Sequence, residues 1–187
     1  MISVDEDSEF RRIFDISLDR VVVVSELPAR ATPEWHAMGY AHNLSYSPIG
    51  RFSADTIRKV AELEKKLIDE LPPNSGDEIS GSELEVEFAD ECPSKVPELD
   101  LGCCAVTLAL AAYGCVPIAS CNGGAFVHDH HEDHPIVAFY CTRAQFKALD
   151  PVLEGFEVGL SGSDPVVLCA KDVREFVNVA EAILATL

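Results

Sequence analysis

The chain has 187 residues, with 32 acidic against 14 basic side chains, a formal net charge of −18 and 48% hydrophobic residues. That length and hydrophobic content suit one globular domain with its own core and argue against a disordered chain. A field of this sign repels phosphate backbones and anionic headgroups, and a screening length of roughly 8 Å does not hide it close up, so neither nucleic acid nor a membrane is an expected partner.

The seven cysteines follow no basic-then-apolar start, and Cys104, Cys141 and Cys169 sit in apolar runs. These features point to reduced thiols and a cytoplasmic location. The longest apolar run, 105–119, is broken by Thr107, Gly114 and Pro117 and is too short to span a bilayer.

Along the chain, 13–18 and 21–24 read as short strands. Residues 28–52 show no periodicity but hold Trp35, His36, Tyr40, His42, Tyr46 and Phe52 among prolines and glycines. A long aromatic loop of this kind is either functional or laid over the core. Ser53 then caps a helix with Asp55 in its first turn. Ile57, Val60, Ala61, Leu67, Ile68 and Leu71 fall on one face, Asp55–Lys59 and Glu62–Lys66 are supporting pairs, and Pro72-Pro73 end it. The polar connector 72–82 is the best internal boundary. The chain therefore reads as one domain, 1–187, with 1–72 as an N-terminal extension (strand, aromatic loop, helix) and 83–187 as an α+β core.

In that core, Leu84, Val86 and Phe88 alternate with Glu83, Glu85 and Glu87, which predicts a half-exposed strand. Asp100 is the expected cap of an apolar helix over 101–113, closed by Gly114. Strands are predicted over 116–120 and 136–141, with a polar loop over 121–134 between them. Thr142 and Gln145 form a capping-box pattern that opens a helix to about 149, ended by Pro151. Strands over 156–160 and 166–169 flank a turn, and a last helix aligns Val173, Phe176, Val177, Ala180, Ile183, Leu184 and Leu187. Residues 84–160 thus run β-α-β-β-α-β, the order of the ferredoxin-like unit, with a C-terminal strand and helix added. The fold class is α+β.

One loop carries chemistry. His128, His130, His131 and His134 fall within seven residues, interleaved with Asp129, Glu132 and Asp133. Ser120-Cys121-Asn122-Gly123-Gly124 lies just upstream, at a predicted strand end. Imidazole, thiolate and carboxylate are ligand types of zinc, so Cys121 with His128, His130 and His134 is the candidate metal set, with Asp129 or Asp133 orienting a ring. His36 and His42 are candidates to join it from the aromatic loop. A second reading makes Cys121 a catalytic nucleophile beside Gly-Gly amides that would hold an oxyanion. A solvated polar loop needs neither explanation. Arg51 reads as an anion contact or an ion-pair partner.

Two functions are carried forward. The first is an acidic cytoplasmic protein that binds and masks a basic partner protein, in the manner of an immunity protein, antitoxin or regulatory subunit. Nine acidic residues against one lysine over 77–100 support it. Glu83, Glu85 and Glu87 would supply the charge, and Trp35 and Tyr40 the aromatic anchors. The alternative is a metal-dependent enzyme or sensor at Cys121 and the 128–134 cluster, using zinc. Oligomeric state is open under both.

Overall fold

A computed structural model of the protein describes residues 52–70, 78–93, 99–126, 134–161 and 166–187. The strands expected over 13–18 and 21–24, and the aromatic loop with Trp35 and Tyr40, lie outside these residues. The elements run α1 (Ala54–Glu70), α2 (Glu78–Glu91), α3 (Cys104–Ala112), β1 (Val116–Cys121), β2 (Ile136–Tyr140), α4 (Arg143–Leu149), a 3-10 turn (Asp150–Val152), β3 (Val158–Ser161), β4 (Val166–Ala170) and α5 (Val173–Leu184).

The fold is α+β. Among the described residues four strands form an antiparallel sheet in the order β1-β2-β4-β3. Cross-strand register aligns Val137 with Leu168 and Leu168 with Leu160, and Phe139 with Val166, on one face. That face meets the core cluster shared with α1, α3 and α5. Period-two alternation turns Ala138, Tyr140 and Cys169 to the other face, where they are buried as well, so β2 is apolar at every position. Pro117 sits on β1, an edge strand, where proline is tolerated, and the register is irregular between it and Ala119.

Several elements form where local chemistry places them. Ser53 accepts the Thr56 N–H at 3.1 Å and opens α1, and Asp55 pairs with Lys59 at 2.9 Å. The Thr142 hydroxyl accepts the Gln145 N–H at 3.2 Å while the Gln145 side chain accepts the Thr142 N–H at 2.7 Å, completing the capping box of α4. Asp172 caps α5, whose apolar face is wholly buried from Val173 to Leu184. Helix α1, expected within an N-terminal extension, packs against α3 and α5 in the main core.

Two expectations are corrected. Residues 84–88 are not a strand but the middle of α2, so the ferredoxin-like order predicted over 84–160 does not form there, and among the described residues the first strand is Val116–Cys121. Two periods compete in this segment. Alternation groups Leu84, Val86 and Phe88, whereas helical spacing groups Gly81, Leu84, Phe88 and Cys92, and these four are the buried ones among 80–93. The five glutamates of this helix favour that period over a strand, and Val86 is left 62% exposed. Helix α3 starts at Cys104 rather than 101, and Asp100 is not its cap: the N-cap residue is Cys103, which makes no side-chain capping bond.

Candidate functional site

The missing cap comes from another helix. Glu64 on α1 is 0% exposed, and its Oε1 accepts the N–H groups of Gly102 and Cys104, both at 2.9 Å. Its Oε2 accepts the Ala105 N–H at 3.1 Å. Two donors that the first turn of α3 leaves without intrahelical partners, the Cys104 and Ala105 N–H groups, and the Gly102 N–H just ahead of the N-cap therefore converge on one carboxyl group, in the place where a helix dipole favours negative charge. Burial pushes the Glu64 carboxyl up to about 8, against the downward pull of the three N–H groups, and the neighbouring Cys92 thiol adds to the rise. The residue was legible in the sequence as a glutamate in phase with Ile57, Val60, Ala61, Leu67 and Ile68, the one acid on that apolar stripe.

Immediately past α3 and β1 lies the turn that holds Cys121. Asn122 is 0% exposed; its Nδ2 donates to Glu85 Oε1 at 3.0 Å and to the Leu101 carbonyl at 3.4 Å, and its Oδ1 accepts the Gly124 N–H at 3.1 Å. One amide side chain thus ties the turn to α2 and to the entry of α3. At Gly81 of α2 a Cβ would overlap the Phe126 carbonyl, so only glycine lets the helix lie this close to the turn. Gly123 has φ +68°, and a Cβ there would overlap the His134 backbone. The acidic helix and the thiol-bearing turn, separate candidates in the sequence, form one surface.

Cys121 is half-buried and its Sγ accepts the Gly123 N–H at 3.4 Å. The two glycine amides proposed as an oxyanion hole are directed at acceptors of the turn itself, Cys121 Sγ and Asn122 Oδ1. Buried Cys103 lies close by. Its thiol is held well above the usual range, first by burial and then by the negative fields of Asp100, Glu64 and Cys121. All seven cysteines carry free thiols, and every one but Cys121 is buried.

The metal candidates divide. Register pairs Cys121 with Ile136, so Cys121 and His134 stand at the same end of the β1–β2 hairpin, with Gly123 between them. His128 and His130 lie outside the described residues, and among the described residues no three His, Cys, Asp or Glu side chains are grouped to hold an ion. The three glutamates also divide. Glu83 is exposed, Glu85 is turned to Asn122, and Glu87 is half-buried and bonded to Lys66 of α1 at 3.4 Å. On a helix Glu85 cannot share a face with Glu83 and Glu87; Glu83, Val86, Glu87 and Asp90, spaced three and four apart, do, and of these Glu83, Val86 and Asp90 are exposed. A cleft of about 100 Å³ between α1 and α5, lined by Lys65, Ile68, Asp69, Arg174, Val177 and Asn178, contains none of the candidate residues.

The chain matches no protein-family model, no curated protein sequence and no solved structure. Among the described residues no helix is long and apolar enough to cross a membrane.

Proposed function

We propose that this protein binds a basic partner protein and masks or regulates it, with the outer face of α2 as the contact. The observation that carries the reading is Val86, 62% exposed in the middle of the acidic helix and flanked on its face by Glu83 and Asp90. An exposed β-branched side chain ringed by carboxylates suits a cationic surface with an apolar spot: the charges speed encounter, and desolvation of the valine holds the complex. Glu85 and Glu87 belong to the scaffold of this surface rather than its contact, since they hold Asn122 and Lys66. Trp35 and Tyr40 remain proposed anchors.

The test uses the full chain and a labelled helical peptide of lysines around a single leucine, followed by fluorescence anisotropy at two salt concentrations. Val86→Asp is expected to weaken binding about tenfold beyond any loss that salt produces, equivalent to ~1.4 kcal/mol. If Glu83→Lys/Asp90→Lys weakens binding and Val86→Asp does not, the attraction is diffuse charge and the α2 contact is wrong.

A second reading keeps the metal-dependent enzyme or sensor, with zinc on Cys121, His128, His130 and His134. The hairpin register favours it by bringing Cys121 and His134 to one end of β1 and β2. Elemental analysis of untagged protein should then find about one zinc per chain, lost in the His128→Ala/His130→Ala/His134→Ala variant. Metal content that the triple variant leaves unchanged removes this reading.

A further inference from the structure

The geometry points to a cross-strand dithiol, Cys115 and Cys141, that closes to a reversible disulfide by exchange with a small-molecule disulfide of the glutathione type. The ladder of β1 and β2 ends on the pair Val116 and Tyr140, and the antiparallel register continued by one residue sets Cys115 opposite Cys141. Directly opposed residues in such a pair have Cα atoms about 4.5 or about 5.5 Å apart, and both spacings fall within the range that a disulfide spans. Opposed residues also point their side chains to the same face, and the two thiols are near enough to shift each other's titration.

The backbone on either side is already fixed. Cys115 N–H donates to the Leu110 carbonyl at 3.0 Å, tying it to the end of α3. Gln145 then bridges the neighbours of both cysteines: its Nε2 donates to the Gly114 carbonyl at 2.8 Å, and its Oε1 accepts the Thr142 N–H at 2.7 Å. One side chain thus holds Gly114 and Thr142, the residues next to Cys115 and Cys141, at a set separation. Little ordering remains to be done when the sulfurs join.

The two sulfurs are not equivalent. Pairing with Cys141 and burial hold Cys115 well above the usual thiol range, while the same pairing draws Cys141 below it. We assign Cys141 as the attacking sulfur, an order that the two serine variants below test. Its thiolate displaces one glutathione thiolate and forms a mixed disulfide. Cys115 then attacks the Cys141 sulfur and displaces the second, the two protein protons passing to the two released glutathiones. The glutathione disulfide gains two electrons and the cysteine pair loses two. With Cys115 4% and Cys141 0% exposed, the reaction waits on local opening at the exposed Gly114 turn and is slow. Once closed, the bond locks the open end of the hairpin whose other end carries Cys121 and Asn122.

The native full chain is incubated with oxidised glutathione, alkylated under denaturing conditions and mapped by peptide mass spectrometry. One disulfide joining the Cys115 and Cys141 peptides is expected, with the other five cysteines alkylated and the bond reversed by dithiothreitol. Closure should raise Tm by roughly 5–10 °C, as expected for a loop of this length in a chain this size. Cys115→Ser should accumulate glutathione on Cys141, because the resolving thiol is gone, and Cys141→Ser should show no Tm rise. Alkylation of both Cys115 and Cys141 after oxidation, or a disulfide joining other cysteines such as Cys103 and Cys121, overturns the proposal; the mapping on the unmodified sequence decides it without any variant.

Discussion

Glu64 on α1 and Glu83 on α2 are the same residue type on adjacent helices, and the molecule uses them in opposite ways. Glu64 has no contact with solvent and is matched by three backbone N–H groups at the start of α3. Glu83 is exposed on a face with Val86 and Asp90. A carboxylate stripped of water is tolerated in a core only where donors replace its hydration, whereas one left in water contributes chiefly to the long-range field. A net charge of −18 is therefore not a single property here. Part of the acid is architecture and part is surface, and composition alone does not separate them.

The largest effect is expected at the architectural end. Glu64→Ala removes the acceptor of three buried donors and leaves a void, so a loss of ~4 kcal/mol in urea unfolding is expected, each orphaned donor costing about 1–3 kcal/mol before relief of the buried polar carboxyl is subtracted. A loss below ~1 kcal/mol would break the contrast. The pH dependence sharpens it. Because burial raises the folded carboxyl to about 8 from 4.5, the folded state keeps a proton there that the unfolded state has already released. The stability this group contributes is full below about 4.5 and is lost as pH rises through about 8. Glu64→Gln cannot ionise, so its deficit relative to the parent protein should narrow between those pH values. A deficit that widens instead would mean that the three N–H groups outweigh burial.

Next in size is the pair that separates helix from strand. Phe88→Ala should lose ~3 kcal/mol, since Phe88 is buried in the core, while Val86→Ala should stay within ~0.5 kcal/mol. On a strand the two residues would share a face and lose stability together. Parallel losses would therefore restore the strand reading of 84–88.

Where the sequence was informative, the signal was local. Ser53, Thr142 with Gln145, and the face from Val173 to Leu184 each settle an element from within a few residues, because a cap or a 3.6-residue period needs no distant partner. The failures came where a distant partner decided the outcome. Leu84, Val86 and Phe88 satisfied two periods, and the close packing of Gly81 against Phe126 fits the helical one, which the glutamates also favour. Asp100 looked like a cap beside an apolar helix, but the cap arrived from Glu64, thirty-eight residues away from Gly102 in the chain. Of the candidate site, Cys121 at a strand end was readable from the sequence. Its link through Asn122 to Glu85 was not, because that bond joins residues thirty-seven apart.

Capping offers a smaller and cleaner version of the same contrast. Thr142 caps α4 from its own first turn and is only half-buried, so Thr142→Ala should cost ~1 kcal/mol by thermal or urea unfolding. If the local, half-buried cap proved as costly to remove as Glu64, burial would not be what sets the larger value.

The smallest effect on stability belongs to the surface acids, and there the expected signature is a dissociation between two measurements. Glu83→Lys/Asp90→Lys changes charges on a face turned to water, where exposed ion interactions contribute about 0–1 kcal/mol and are screened by salt. Reversing two acids in so acidic a chain also relieves some self-repulsion. Unfolding midpoints should therefore move by less than ~0.5 kcal/mol, in either direction, while binding of the cationic peptide falls about tenfold at low salt. An equal loss of stability would place Glu83 and Asp90 among the structural acids with Glu64. A preserved fold with weakened binding keeps them where their exposure puts them, on a face whose carboxylates act on something outside the molecule.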